Sequence, residues 1–139
     1  MADIRICAGP FAFLARLERE AAPKTCAAFL RMLPYRNRLI HVRWSGEACW
    51  IPLGSLDLGL AHENATSYPP PGAVLLYPGG VSETELLLAY GACRFASKAG
   101  QLAGNHFLTI VAGGENLAEL GRLTLWQGAQ EIAFTAAEG

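Results

Sequence analysis

Three side chains at alternate positions, Arg43, Ser45 and Glu47, have the types and spacing for acid–base chemistry. On an extended strand, residues two apart lie on the same face of the sheet. An arginine holds a carboxylate or a planar amide through paired hydrogen bonds, and a glutamate shielded from water acts as a general base. The neighbouring Trp44 and Trp50 favour a pocket. The alternative, a solvent-facing strand edge with a weak Arg–Glu pair, stays open.

A second candidate region is the stretch 83–110, which combines apolar ends with arginine, lysine, histidine and three internal glycines. Glycine lets the backbone approach a ligand closely. Arg94, Ser97 and nearby backbone amides could form an anion or carboxylate pocket, with Tyr90 beside it. The alternative is a bulge or loop that carries one structural arginine.

Two residues of this region are candidates for moving protons. His106 precedes an apolar run and titrates near neutral pH, although a lone histidine is often only a structural hydrogen-bonding group. Glu85 alternates with Glu83, and paired carboxylates can separate their pKa values, although two glutamates at a strand start are often simply solvated.

We therefore predict one polar cleft that acts on a small polar organic molecule. Its predicted catalytic residues are Glu47, Glu85 and His106, and its predicted substrate-binding residues are Arg43, Ser45, Trp50, Tyr90, Arg94 and Ser97. The sequence has no phosphate loop, no nucleotide fingerprint and no cysteine–histidine spacing typical of zinc sites. We expect neither a cofactor nor a metal.

The composition limits the class of protein. A length of 139 residues fits a single domain over residues 1–139. With 52% hydrophobic and 17% charged residues, apolar surface remains after a core is filled, so we expect a homo-oligomer. A formal net charge of -1 argues against nucleic-acid binding through a basic face. No signal peptide and no apolar run near the ~20 residues of a membrane helix are found, so we expect a cytoplasmic protein that does not bind membranes.

Hydrophobic periodicity predicts about eight strands and one or two helices. A helix is predicted to start at Pro23 and to end near Leu33, before Pro34, and a second is predicted over 117–123. The predicted strands are 4–7, 11–17, 39–44, 48–53, 73–77, 85–90, 107–111, 123–126 and 132–135. Without a βα alternation, this order favours a closed or nearly closed antiparallel barrel with a helix over one end.

Two resemblances refine this prediction. The segment 11–33, FAFLARLEREAAPKTCAAFLRML, resembles the opening of cyclophilins, whose helix begins Ala-Pro-Lys-Thr and contains a buried phenylalanine, here Phe29. The later motifs HVRWSGEACWIP, PGAVLLYPGG and AGNHFLTI resemble the DUF3830 family, a bacterial cyclophilin-like family of unknown function. The resemblance implies a mainly β protein, a cyclophilin-like closed eight-stranded antiparallel barrel with one or two short helices. It implies little about activity.

Three functions remain open. The first is an enzyme, with hydrolysis or acid–base catalysis as its reaction, acting on a small carboxylate, amide or cyclic amide. The second is a non-catalytic small-molecule binding or accessory subunit. The third is a divergent prolyl isomerase, but cyclophilin isomerases carry their arginine after Phe-His and follow it with a Phe-Met pocket. Here the nearest segment is His41-Val42-Arg43, followed by Trp44 to Glu47.

Overall fold

A computed structural model describes residues 2–137 and shows a closed barrel of eight antiparallel strands. The elements are β1 (Ile4–Ala8), β2 (Phe11–Leu17), α1 (Pro23–Leu30), β3 (Tyr35–His41), β4 (Gly46–Gly54), β5 (Ala65–Thr66), β6 (Ala73–Tyr77), β7 (Thr84–Cys93), β8 (Ala96–Ser97), β9 (Gly100–Gln101), β10 (Gly104–Ala112), α2 (Leu117–Gln127) and β11 (Gln130–Ala136). Around the barrel the strands run β2-β1-β11-β3-β4-β7-β6-β10, and β10 closes the ring by pairing with β2. The predicted fold class is confirmed.

Side chains at alternate positions of β1 and β2 point into the barrel and fill part of its interior. Ile4 and Ile6 on β1 face the interior, as do Phe13 and Ala15 on β2. β1 and β2 form an antiparallel hairpin. The turn between them uses Gly9 at φ 54°, a conformation that glycine adopts without a Cβ penalty.

Helix α1 covers one end of the barrel through Phe29. The Phe29 ring is fully buried and lies 4.9 Å from the Phe107 ring and 5.3 Å from the Phe134 ring, measured between centroids. Pro23 stands in the first turn, where the missing N–H costs nothing. The helix ends at Leu30, three residues before the predicted boundary.

The predicted strand over 123–126 is wrong, because α2 continues through these residues to Gln127. The buried positions Leu117, Leu120, Gly121 and Thr124 recur every three to four residues, which is the spacing of one helical face. The β propensity of Leu123 to Trp126 is overridden by the packing of this face on the barrel.

The predicted strand over 39–44 is displaced, because β3 spans Tyr35–His41 and residues 43–45 form a bend into β4. The bend closes at Gly46, whose φ is 92° and where a Cβ would lie only 2.8 Å from the Ala92 carbonyl oxygen. Arg43, Ser45 and Glu47 therefore do not share one strand face, contrary to the prediction.

The long segment between β4 and β6 is irregular, with only β5 inside it. Glu63 holds it against α1, because one carboxylate oxygen accepts hydrogen bonds from the Thr25 N–H at 2.5 Å and the Thr25 hydroxyl at 2.7 Å. This carboxylate satisfies an N–H of the first helical turn that no residue of α1 itself caps. No helix within residues 2–137 has the length and apolar character to cross a membrane.

Candidate functional site

The barrel interior is packed, so a ligand site must lie elsewhere. The void bounded by Ile6, Leu39 and Phe134 has a volume of only about 10 Å³. A cleft of about 560 Å³ instead lies across the outside of β3, β4 and β7. Its chemically active lining consists of His41, Arg43, Trp44, Trp50, Ser82, Glu83, Glu85, Ser97 and Lys98. This volume is typical of small-molecule sites.

Glu85 lies on the outer face of β7, within this cleft. It pairs with Pro52 and stands two residues before Leu87, which packs outside the barrel, whereas Leu86 and Leu88 point inward. Glu85 is only 5% exposed. Burial, and then the nearby Glu83 carboxylate, raise the pKa of Glu85 to about 8.

The Glu85 carboxyl group is open to the cleft. No hydrogen bond contributes to its pKa shift, and no fully buried polar side-chain atom among residues 2–137 lacks a partner. The carboxyl oxygens therefore reach solvent through the cleft. A buried acid that is free of internal partners and titrates near neutral pH is a candidate proton carrier.

Cationic and aromatic side chains line the rest of the cleft. Arg43 and Trp44 come from the bend before β4, Trp50 from the outer face of β4, and Lys98 from the β8–β9 hairpin. Arg43 and Lys98 suit an anionic group, and the indole rings suit an apolar or planar one.

Ser45 positions the hairpin that carries Ser97 and Lys98. Its buried hydroxyl accepts a hydrogen bond from the Ala96 N–H at 3.0 Å and donates one to the Ala96 carbonyl oxygen at 3.1 Å. Ser97 lines the cleft, and its hydroxyl accepts the Ala99 N–H at 3.1 Å. Ser45 therefore acts on the cleft through the backbone of Ala96.

His41 and Tyr90 form a hydrogen-bonded pair at the cleft wall. His41 Nδ1 lies 2.8 Å from the Val42 carbonyl oxygen, and Nε2 lies 2.7 Å from the Tyr90 hydroxyl. Since a carbonyl only accepts, Nδ1 carries a proton, and Nε2 is left to bond the Tyr90 hydroxyl. Burial raises the pKa of Tyr90. Tyr90 thus orients His41 from behind the cleft.

Gly121 leaves room for the Tyr90 ring, so a larger residue at this position should disturb the hydrogen-bonded pair of His41 and Tyr90. A Cβ on Gly121 would overlap the Tyr90 ring. We expect Gly121→Ala to lower the free energy of unfolding by about 1–2 kcal/mol, although alanine in a helix is normally favoured by about 1 kcal/mol. Chemical denaturation measures this, with the exposed α2 variant Glu119→Ala as control. An increase in stability would contradict the tight Gly121–Tyr90 contact.

Two predicted site residues, Glu47 and Arg94, lie outside the cleft lining. Glu47 is exposed, and its carboxylate accepts the Ala92 N–H at 2.7 Å where the β4–β7 register shifts. Arg94 is exposed, and its backbone N–H donates to the Ser45 carbonyl oxygen at 3.0 Å. Neither side chain lies among those around Glu85.

His106 belongs to a separate polar cluster. Its Nε2 lies 2.8 Å from the Thr109 hydroxyl, which donates to Glu18 at 2.6 Å. Burial lowers the pKa of His106, with a smaller opposing effect from Glu18.

The structure thus brings Arg43, Trp50, Glu85 and Ser97 together in one cleft and leaves Glu47, Arg94 and His106 outside it, with Ser45 and Tyr90 as supports.

Two further cleft residues, His41 and Lys98, are not among the predicted site residues. Their only signal in the sequence is that they lie beside predicted site residues, in His41-Val42-Arg43 and Ser97-Lys98.

Within residues 2–137, no three His, Cys, Asp or Glu side chains come close enough to hold a metal ion.

Comparisons with known proteins agree with the barrel. Among solved structures, this chain is similar to McbB in complex with tryptophan (19% identity, TM-score 0.76, 98% of this chain and 45% of that one). It is also similar to the hypothetical protein AF2241 from Archaeoglobus fulgidus (18%, TM-score 0.65, 98% and 95%). A third is a cyclophilin-type peptidyl-prolyl cis-trans isomerase from Cryptosporidium parvum in the presence of the dipeptide Ala-Pro (14%, TM-score 0.59, 99% of each).

At these identities the structural similarity shows the fold alone, and the chain spans less than half of McbB. No curated protein matches its sequence. The family model described as "Protein of unknown function (DUF3830)" matches residues 4–136. The chain therefore belongs to the DUF3830 family.

Proposed function

We propose that this barrel is an acid–base enzyme that acts on a small organic carboxylate or amide in the outer cleft, with Glu85 as its proton carrier. One observation carries the proposal: the carboxyl group of Glu85, a residue only 5% exposed, has no hydrogen-bond partner among residues 2–137 and opens into a cleft that also holds cations. Burying an unpartnered acid destabilises a fold, so such a group is typical of functional sites.

The proton chemistry follows from the pKa of Glu85. With a pKa of about 8, Glu85 is mainly a carboxylic acid at pH 7. It donates its proton to a basic atom of the bound molecule, becomes a carboxylate, and recovers a proton when the product forms. In the opposite direction the carboxylate takes a proton from an N–H or C–H group. Neither step needs another reactant.

We assign substrate binding to the end of the cleft that lies away from Glu85. Arg43 and Lys98 hold an anionic group, and Trp50 offers an apolar surface beside Glu85. Contacts remote from the reacting atoms hold the substrate in place for proton transfer. McbB, which shares the fold, was solved with tryptophan, a molecule that combines a carboxylate with an aromatic ring.

The alternative is a binding subunit without catalysis, and the internal hydrogen bonds of the cleft favour it. Both His41 ring nitrogens contact protein atoms, and the Ser97 hydroxyl accepts a backbone N–H. No nucleophile–base pair is present in the part of the cleft that residues 2–137 form. This alternative predicts tight binding and no change in any bound molecule.

The test starts from ligands found by a thermal-shift screen of carboxylates, amides, lactams and ureides. Each ligand is then followed by NMR for turnover or exchange of a proton with solvent. Glu85→Gln should reduce the rate by about 10²–10⁴-fold while keeping most of the affinity. Glu131→Gln, an exposed glutamate on β11, is the matched control.

Two outcomes would overturn the proposal. If Glu47→Gln or His106→Gln removes turnover and Glu85→Gln retains it, the reaction centre lies outside this cleft. If ligands bind and none is changed by the wild-type protein, the binding-subunit alternative replaces the enzyme.

Self-association is a second proposal, and α2 supports it. Leu125 and Trp126 are consecutive, large and apolar, and they are 53% and 76% exposed. Such a patch is typical of an interface. Light scattering should give more than the 14.9 kDa of one chain, and a strict monomer would contradict the proposal.

A further inference from the structure

The charges of the cleft are sorted along its length. Arg43 lies in the bend before β4, and Lys98 lies on the hairpin that Ser45 ties to this bend. Glu83 and Glu85 lie at the opposite end of β4, where Pro52 pairs with Glu85. The cleft therefore has a cationic end and an acidic end.

Trp50 lies between these ends. It pairs with Leu87, two residues along β7 from Glu85, and its ring packs against the apolar cluster on the outer face. Because alternate residues of a strand share a face, Trp50 borders the path from one charged end to the other. The middle of the cleft therefore has one apolar wall.

Strand register sets the distance between the two ends. The Val42 N–H, beside Arg43, bonds the Ala48 carbonyl oxygen, and Ala48 pairs with Ala89. Ala89 lies four positions from Glu85 along β7, which corresponds to about 13 Å at ~3.3 Å per residue. Long side chains at the cationic end shorten the gap to roughly 10–13 Å.

We propose that the cleft takes an elongated molecule with a carboxylate at one end, an apolar middle, and an amine or amide N–H group at the other. The carboxylate binds Arg43 and Lys98, the middle lies along Trp50, and the N–H group reaches Glu83 and Glu85. This inference rests on the proposed function only for the identity of the reacting end. It narrows the substrate class, because a simple α-amino acid, whose two charged groups share one carbon, cannot reach both ends.

Unbranched ω-amino acids of increasing length test this spacing as a molecular ruler. Each methylene adds about 1.3 Å to an extended chain, given a C–C bond of about 1.5 Å. In calorimetric titrations we expect the affinity to rise from 4-aminobutanoate to a maximum near 8-aminooctanoate or 10-aminodecanoate. Octanoate and octylamine, which each keep one end group, should bind at least 10-fold more weakly than 8-aminooctanoate.

Single substitutions assign the two ends. Arg43→Ala and Lys98→Ala should weaken 8-aminooctanoate and octanoate at least fivefold and leave octylamine unchanged. Glu83→Gln should weaken 8-aminooctanoate and octylamine and leave octanoate unchanged. Arg36→Ala, which changes an exposed arginine at the opposite end of β3 from the bend, is the matched control and should change nothing.

Affinity that does not depend on chain length, or that is highest for the shortest acid, would overturn the inference. The same holds if Arg43→Ala weakens octylamine as much as octanoate. These titrations measure binding alone and can be repeated with Glu85→Gln. A length optimum without turnover would support this inference and contradict the proposed enzyme. Glu85-dependent turnover of short acids would support the proposed enzyme and contradict this inference.

Discussion

Replacing Glu85 with glutamine should abolish most of the fall in stability that the wild-type protein shows between pH 4.5 and about pH 8. The folded protein holds the Glu85 proton up to a pKa of about 8, whereas the unfolded chain releases it near 4.5. Across this window the folded state binds more protons, so wild-type stability falls as the pH rises, by up to about 1.4 kcal/mol per pH unit. Glutamine does not titrate, so this fall disappears.

The difference in unfolding free energy between pH 5 and pH 9 should shrink by roughly 2–4 kcal/mol in Glu85→Gln relative to wild type. Comparing the two pH values within each protein removes the constant cost of a buried amide. Urea denaturation at both pH values provides the measurement, with Glu131→Gln as control. Parallel wild-type and Glu85→Gln profiles would show that Glu85 titrates like a solvated glutamate.

Asn105→Ala should lower the free energy of unfolding by roughly 2–4 kcal/mol. Asn105 is fully buried at the start of β10, and its side-chain amide ties the long segment after β4 to the barrel. Nδ2 donates to the Thr25 hydroxyl at 3.1 Å and to the Ala61 carbonyl oxygen at 3.0 Å, and Oδ1 accepts the Glu63 N–H at 3.1 Å. Alanine leaves these groups without partners in a buried setting.

Chemical denaturation checks the magnitude, and limited proteolysis checks the mechanism. Cleavage of Asn105→Ala should increase within residues 55–72, because the segment loses its anchor. Asn37→Ala on the exposed part of β3 is the matched control, with an expected change within about 0.5 kcal/mol. A loss for Asn105→Ala no larger than the control would mean that water replaces the amide at no cost.

The strands that sequence reasoning placed well have a clear period of two or a continuous apolar run. β2 and β6 match their predicted bounds, and both fill the core. The failures have tertiary causes. The pairing of β11 with Tyr35 to Leu39 moves β3 towards the N-terminus, and packing of one face of α2 turns 123–126 into helix.

The cleft was predicted in part, because strand alternation identifies which residues share a face. Glu85 and Trp50 follow from this rule once β4 and β7 pair. Glu47 fails because the register shifts between Gly46 and Ala48, and this bulge turns its carboxylate to the Ala92 N–H. The position of Lys98 depends on a hairpin that Ser45 ties to the bend before β4, a contact 51 residues apart in the chain. The orientation of His41 depends on its hydrogen bond to Tyr90, 49 residues away.

The most direct test of the cleft as the functional site is the affinity of the best carboxylate ligand for three proteins: wild type, Arg43→Ala and Arg94→Ala. Both variants lose one exposed arginine, and only Arg43 lines the cleft. We predict at least a fivefold loss of affinity for Arg43→Ala and no change for Arg94→Ala. Equal affinity of wild type and Arg43→Ala, or a loss confined to Arg94→Ala, would contradict the account.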